Sequence, residues 1–196
     1  MALNLLLMRI SKVLVTLVLC GVMLLSCDGK QGFLIKKGQV GAINAQTEIQ
    51  EIRSLFDNDS IVSRLSEGEL GYLGAMSQDE DQYLIYDYNG NHLLTIVAED
   101  ALDSTSLVKR VEVFSPKFQT KDALGIGSNF EDVNVNLQID RIEKTFTSAT
   151  LFIDELNATM TIDQSDLGLT SLRPGELSIE QIPSQAKIKS FTIWLN

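Results

Sequence analysis

The sequence predicts an α+β domain made mainly of antiparallel β-sheet, with two or three short helices and two similar halves. Many short segments are rich in β-branched and aromatic residues and are bounded by turn residues, which is typical of strands. Only a few stretches place apolar residues at helical spacing, and each of them is short. Elements in this proportion favour helices packed on one shared antiparallel sheet or on two abutting sheets.

The first half of the chain contains one predicted helix and several predicted strands. Residues 33–35 are predicted to form a first strand. Thr47 and Gln50 have the spacing of a helix capping box, and apolar residues follow at helical spacing, so we expect a helix over 48–56. Segments 61–65 and 70–76 are weaker strand candidates.

The clearest local signal is a hairpin. Residues 83–88 and 91–97 are rich in strand-forming residues and flank Asn89-Gly90, a pair that readily takes the positive φ angles of a tight turn. After it, 107–114 alternates apolar and polar residues, which predicts another strand.

The second half repeats this plan. Ser128 and Glu131 form a second candidate capping box, before a short helix whose inward stripe is Phe130, Val133 and Leu137. Further elements are predicted in chain order, namely strands over 141–147, 150–153 and 158–162, a helical turn over 178–182 and a last strand over 187–195.

A weak internal repeat accompanies these elements. Residues 37–41 align with 121–125, and 84–87 align with 151–154. We therefore predict a duplication relating 33–100 to 110–165 within a single domain over 33–196. Chance similarity is the alternative.

The first 27 residues are a separate unit. Arg9 and Lys12 precede an apolar run over 13–25 that is too short for the roughly 20 apolar residues of a membrane-spanning helix. The run ends in Leu24-Leu25-Ser26-Cys27, which resembles the bacterial lipobox. That resemblance implies cleavage of a 1–26 signal peptide, lipid on the Cys27 thiol and a short tether over 27–32. A buried N-terminal helix is the alternative, but the run shows no polar face. Translation is expected to start at Met1 or, more in keeping with a signal peptide, at Met8.

The mature chain would be acidic and free of thiols. Two of the 16 basic residues and none of the 26 acidic ones lie in the leader, which leaves 170 residues with a net charge of −12. Such a surface repels phosphate backbones, so we expect no nucleic-acid partner, and attachment to a membrane would depend on lipid. Because Cys20 is removed and Cys27 is acylated, no disulfide, cysteine nucleophile or cysteine-based zinc site is expected.

Three motifs could carry chemistry, and each has a plainer interpretation. His92 could be a general base or metal ligand, but a solvent-exposed hairpin residue is expected. Gly125-Ile126-Gly127 lies before a helix like a phosphate loop, but it lacks a third glycine and a Lys-Ser/Thr pair, so a turn is expected. The acidic loops 57–60 and 79–81 could bind Ca²⁺, but they lack the EF-hand pattern, so solvated turns are expected.

No residue spacing marks a catalytic site. No serine lies in a Gly-x-Ser-x-Gly elbow, and no pair of carboxylates is singled out. We therefore expect no enzyme, no cofactor and no metal, and a catalytic use of carboxylates brought together by folding is the alternative. Aromatic residues on the predicted strands could form a binding surface or pack in the core; they are Tyr83, Tyr86, Tyr88, Phe191 and Trp194.

Several stretches are similar to a family of uncharacterised envelope lipoproteins of Gram-negative bacteria, one branch of which is regulated by sigma-E. The similar stretches are 40–45 with Thr47, 93–96, 125–128 with Phe130 and Val133, and 182–183, 186–188 and 193–194. The resemblance implies a periplasm-facing lipoprotein, with a link to envelope stress and no defined catalytic residues. The lipobox and the absence of a catalytic signature together lead us to expect a non-enzymatic module that binds or scaffolds an envelope protein. Asp28 would retain a lipoprotein at the inner membrane in some bacteria but not in others, and we expect the outer membrane.

Overall fold

The computed structural model describes residues 31–67, 79–168 and 175–195. Nine antiparallel strands form one sheet, called here the large sheet, and three two-residue strands form a small sheet. Short helices complete the fold. The predicted α+β class with mainly antiparallel sheet is confirmed.

The elements follow one another in a simple order. The strands are β1 Ile35–Lys36, β2 Gln39–Val40, β3 Ile43–Asn44, β4 Ser60–Arg64, β5 Gln82–Tyr86, β6 His92–Ala98, β7 Val108–Val113, β8 Arg141–Lys144, β9 Ser148–Ile153, β10 Ala158–Asp163, β11 Gly175–Glu176 and β12 Ile188–Trp194. The α-helices are α1 Ile52–Leu55, α2 Phe130–Asn136 and α3 Gln164–Leu167. Single 3₁₀ turns occupy Gln31–Phe33, Ile49–Glu51 and Ile179–Gln181.

The last strand lies in the middle of the large sheet. The strand order is β11-β8-β9-β10-β12-β7-β6-β5-β4, so β12 joins the meander β4–β7 to the meander β8–β10. Met160 of β10 and Val113 of β7 are the register partners of Phe191 on its two sides. Phe191, Ile193 and Leu195 are buried, and the residues between them are partly exposed, so the alternation predicted for 187–195 is confirmed in a strand that is paired on both edges.

The two halves share a hydrogen-bond pattern where each chain segment enters its helix. Glu48, which precedes the first helical segment, forms a bridge with Leu107, the residue before β7. Asn129, which precedes α2, forms the matching bridge with Lys187, the residue before β12. The matched backbone bonds are Ile49 N to Ser106 O and Phe130 N to Ala186 O, Gln50 N to Ser104 O and Glu131 N to Ser184 O, and Val108 N to Thr47 O and Ile188 N to Ser128 O.

Irregularities of the strands recur as well. The register of β6 on β7 shifts between Val97 and Ala98, and that of β10 on β12 shifts between Thr161 and Ile162. In each pair the shift skips the second residue of the partner strand, Lys109 in β7 and Lys189 in β12. The recurring geometry spans 44–113 and 125–193, while the duplication predicted for 33–100 and 110–165 stays a prediction.

Both predicted capping boxes are wrong in detail. The Thr47 hydroxyl oxygen accepts the N–H of Asn44, and the Ser128 hydroxyl oxygen accepts the N–H of Gly125, so each hydroxyl closes the turn before its helix. Glu48 and Glu51 form the box of the first helical segment, one residue later than expected. The predicted helix over 48–56 is a 3₁₀ turn followed by α1.

The predicted tight hairpin turn is also wrong, although the hairpin exists. Its loop is the five-residue segment 87–91, called here the Asp87 loop, because β5 ends at Tyr86 and β6 begins at His92. Gly90 has φ +80°, a conformation that favours glycine over residues with a side chain, which explains why glycine occupies this position. The Asp87 carboxylate holds this wider loop, and local strand propensity does not reveal that role.

Most other element predictions hold. Predicted strands at 61–65, 107–114, 150–153 and 158–162 match β4, β7, β9 and β10 within a few residues. The helical turn predicted over 178–182 is confirmed as Ile179–Gln181, and the structure adds a capping box between Ser178 and Gln181. The first strand begins at Ile35 rather than Phe33, the 141–147 strand ends at Lys144, and α3 was not predicted. The candidate strand 70–76 lies outside the described residues.

One apolar core connects the helices, the small sheet and the large sheet. Phe130, Val133 and Leu137 of the predicted stripe are buried in it, which confirms that stripe. Ile43 of the small sheet and Ile52 of α1 are buried in the same core. In the described part of the chain, no helix is long and apolar enough to cross a membrane.

Candidate binding pocket at the Asp87 loop

Three aromatic rings stack at one end of the large sheet. The ring centroids of Tyr86 and His92 are 4.9 Å apart, and those of His92 and Phe114 are 4.2 Å apart, with interplanar angles of 26° and 17°. Strand register explains the stack, because Tyr86 pairs with His92 and the N–H of Phe114 donates to Leu93 O. We call Tyr86, His92 and Phe114 the ring stack.

The His92 imidazole is held in place by its own strand. Its Nε2 lies 3.1 Å from Leu94 O and 3.0 Å from Thr95 Oγ1. Burial lowers the pKa of His92, and Arg64 lowers it further, against the opposing effects of Leu94 O and Glu112. His92 is half-buried, so the expectation of a solvent-exposed hairpin residue is wrong.

We expect the His92 imidazole to titrate below its ordinary pKa of 6.5. Because the folded-state pKa lies below this ordinary value, folding favours the neutral imidazole. The stability that this provides is fully present above the ordinary pKa and is lost as the pH falls through the folded-state pKa. The chain has one histidine, so a single imidazole Cε1–H signal in NMR reports this titration. A midpoint at or above 6.5 would contradict the assignment, and the His92→Gln variant should lose the corresponding pH dependence of unfolding.

The Asp87 carboxylate organises the loop beside the ring stack. Oδ1 accepts the N–H groups of Asn89 and Asn91 at 3.0 and 2.9 Å, and Lys117 Nζ lies 3.4 Å from Oδ2. The Asn91 side-chain amide donates to both oxygens. These bonds, first among them that of the Asn91 side chain, lower the pKa of Asp87. Asp87 is therefore an ionised structural residue.

A cavity of about 690 Å³ opens between the Asp87 loop and the segment after β7. We call it the ring-stack pocket. Its lining includes Tyr88, Asn89, Asn91, Phe114, Ser115 and Lys117. Tyr88 is 87% exposed and Phe114 is 41% exposed, so two aromatic side chains meet solvent there. Its volume is within the range of small-molecule sites.

The acidic loop 57–60 is brought near this pocket. Ser60 is the register partner of Tyr86, which places Asp59 beside the Asp87 loop. Burial raises the pKa of Asp59, and the negative charges of Asp87 and Asp57 raise it further against the lowering effect of Lys117. The sequence singled out His92 and this loop separately, and the fold places both at the same end of the sheet.

The acidic loop 79–81 is not a solvated turn. The Glu80 carboxylate forms a bidentate pair with Arg110 at 2.8 and 2.7 Å and also binds Lys109 at 2.8 Å. The Arg110 hydrogen bond is the main reason that the pKa of Glu80 is lowered to about 2. Asp81 is buried and accepts backbone N–H groups. Within the described residues, no three acidic, histidine or cysteine side chains cluster as metal ligands.

Gly125-Ile126-Gly127 forms a turn, as expected, and its neighbouring amides are already used. Gly125 N donates to the Ser128 hydroxyl, and Gly127 N donates to Ile188 O. A Cβ on Gly125 would lie 2.6 Å from Phe118 O, so close packing requires this glycine. The amides of both glycines thus bond to the protein and not to an anion.

The predicted aromatic residues do not form one surface. Phe191 is fully buried, and Tyr83 packs against the core. Arg110 lies over the ring of Trp194 at 5.5 Å. Of these residues, Tyr86 and Tyr88 belong to the ring-stack region. Phe114 and Lys117 also lie there, and neither was predicted to belong to a site. Phe114 directly follows the alternating strand β7, and that position is the signal that could have placed it near the hairpin.

Comparison with known proteins shows a shared fold and no named family. The sequence matches no protein-family model, and no curated protein is significantly similar to it. The fold is similar to the crystal structure of the uncharacterized protein yfeY from Escherichia coli, with a TM-score of 0.55 and 13% identity over 83% of this chain and 99% of that chain. The likeness shows the fold. The predicted lipobox residues Leu24, Leu25, Ser26 and Cys27 lie outside the described residues.

Proposed function

We propose that this protein is a lipid-anchored domain of the bacterial cell envelope, facing the periplasm, that binds another envelope component without catalysis. The observation that carries the proposal is the Leu24-Leu25-Ser26-Cys27 sequence at the end of an apolar leader. Two or more acyl chains on Cys27 would anchor the acidic domain firmly, because each buried CH₂ contributes roughly 0.8 kcal/mol.

The ring-stack pocket supports a binding role for the folded domain. Exposed aromatic side chains beside amides are features of recognition surfaces. Its most buried carboxylate, that of Asp87, is occupied by Asn89, Asn91 and Lys117, which favours a structural role over proton transfer. The alternative is a carboxylate-based hydrolase or a calcium- or small-ligand-binding protein. Asp59 is the residue that favours it, because its pKa is raised beside Asp87.

The wider biological setting belongs to the same proposal. The stretches that resemble sigma-E-regulated lipoproteins support a place in the response to envelope stress, and we favour the outer membrane. The protein partner would be an envelope protein, and nucleic acid would not bind to a surface of this charge.

We expect the protein purified from membranes to begin at Cys27 and to carry acyl mass. Intact-mass spectrometry of the wild type, Cys27→Ala and Cys20→Ala tests this directly. Cys20 is a matched control, because it is the other cysteine of the chain and lies inside the proposed leader. Cys20→Ala should therefore yield the same mature mass as the wild type, while Cys27→Ala should keep its leader and carry no lipid.

A wild-type mass that includes the leader, or that lacks lipid, would remove the anchor from the proposal. Cross-linking in intact envelopes then tests the binding role, with Cys27→Ala as the mislocalised comparison. Recovery of one specific envelope protein with the wild type supports that role, and recovery of none counts against it.

A further inference from the structure

We propose that the ring-stack pocket binds a saccharide whose ring lies against Phe114. This inference deepens the proposed binding function and rests on it, because it names the ligand class for the same pocket. The pocket has three features that together favour a sugar, namely an exposed aromatic face, surrounding hydrogen-bonding groups and a wide opening.

Phe114 is the last ring of a preformed stack. One of its faces packs on His92 at a centroid distance of 4.2 Å, while 41% of the residue is exposed at the cavity. His92 is in turn fixed by Leu94 O, Thr95 and Tyr86. The platform is therefore rigid before any ligand arrives, which lowers the entropy cost of binding.

A pyranose ring with equatorial hydroxyls presents a flat face of axial C–H groups. Such a face packs on an aromatic ring, while the hydroxyls around its rim need donors and acceptors. Asn89, Asn91 and Lys117 line the cavity beside Phe114. The Asn91 amide nitrogen and one N–H of Lys117 are bonded to Asp87, so the groups that face a ligand are the Asn89 amide, the Asn91 amide oxygen and the other N–H groups of Lys117. Tyr88, with 87% of its surface exposed, offers a second ring to the same ligand.

An aromatic ligand would also stack on Phe114, but the rest of the pocket favours a sugar. A planar apolar ring would leave the Asn89 amide, the Asn91 amide oxygen and the remaining N–H groups of Lys117 facing an apolar surface, and unpaired polar groups weaken binding. A saccharide satisfies the ring and its polar surroundings together. Its apolar face and its hydroxyl rim match the two kinds of group in the lining.

The test uses the single histidine as a reporter. The full chain, in micelles of a detergent without a sugar headgroup, is titrated with a β-1,4-linked trimer of N-acetylglucosamine, and the His92 Cε1–H signal is followed by NMR. We expect a saturable shift in the millimolar range, because the site is open and its contacts are few. Sorbitol, which has hydroxyls but no ring, should cause no saturable shift.

Variants locate the binding site. Phe114→Ala should weaken binding roughly tenfold or more, and Tyr88→Ala should weaken it severalfold without affecting the fold, since Tyr88 is almost fully exposed. Phe146→Ala is the matched control, because Phe146 is 69% exposed on the loop between β8 and β9 and should leave the affinity unchanged.

The saccharide inference would be overturned by the absence of a saturable shift with the trimer, or by equal affinities in the wild type and both pocket variants. A shift produced by indole but not by the trimer would also overturn it in favour of an aromatic ligand. These results are independent of the Cys27 mass measurement. A lipidated protein that does not bind the saccharide would contradict the proposed ligand class and leave the proposed lipid anchor unaffected.

Discussion

Replacing Phe191 by alanine is expected to destabilise the domain by about 3–5 kcal/mol. Phe191 is fully buried on β12, the strand that joins the two halves of the large sheet. Its register partners are Met160 on one side and Val113 on the other, and both are fully buried. A loss of this size is a large fraction of the roughly 5–15 kcal/mol that keeps a domain folded.

Urea unfolding of the full chain measures this effect, with Phe146→Ala as the control. The same substitution at Phe146 should change the free energy of unfolding by less than about 0.5 kcal/mol, because that side chain is exposed. Equal losses at the two positions would show that β12 does not occupy the centre of the sheet. A Phe191→Leu variant, which keeps most of the apolar volume, should lie between the wild type and Phe191→Ala.

Removing the Asp81 carboxylate is expected to cost about 2–4 kcal/mol. Asp81 is 1% exposed, and its two oxygens accept the backbone N–H of Ser66 at 2.7 Å and that of Leu102 at 2.8 Å. Leu102 has φ +63°, a strained conformation for leucine that this bond helps to hold. Asp81→Ala would remove the acceptor from both loops at once.

Chemical denaturation compares Asp81→Ala with two other variants. Asp81→Asn keeps one oxygen acceptor and should lose less stability than the alanine variant. Asp100→Ala changes an exposed acid near the same loop and should stay within about 0.5 kcal/mol of the wild type. Hydrogen exchange at the Ser66 and Leu102 amides should accelerate in Asp81→Ala, and unchanged exchange there would contradict the assigned bonds.

The fold class could be predicted because its signals are local. Alternation in β7, for example, depends on a face that is buried and a face that is not, and Val111 and Val113 show it without knowledge of the rest of the chain. The central position of β12 could not be predicted in the same way. Pairing with β7 and β10 depends on residues far away in sequence, and the strand pattern alone does not name its neighbours.

The capping errors have the same origin. Thr47 and Ser128 have the residue type and spacing of helix caps, but their backbone carbonyls accept the N–H groups of Val108 and Ile188. These sheet-like contacts hold each hydroxyl in the turn before its helix. The predicted internal repeat also matches Gly41 with Gly125. The hydrogen bonds instead match Asn44 with Gly125, because the N–H of each donates to the hydroxyl three residues later.

The candidate site was only partly visible in the sequence. His92 was identified as the single histidine, but its pairing with Phe114 arises from the register of β6 on β7. Asp87 resembled an ordinary end of a strand, because a carboxylate that accepts loop amides leaves no periodic pattern. The ring-stack pocket is a product of tertiary pairing, so residue type could indicate its members but not their arrangement.

The place of β12 also determines the order in which the domain can be completed as the chain emerges from its N-terminus. Strands β4–β10 are all made before residues 188–194, yet β7 and β10 have no common partner until that segment arrives. Until then each of them presents an unpaired backbone edge, and such edges recruit other chains. Folding of the emerging chain therefore leaves two open half-sheets that the last strand closes together, and the interval before that closure is when the chain is most prone to aggregate.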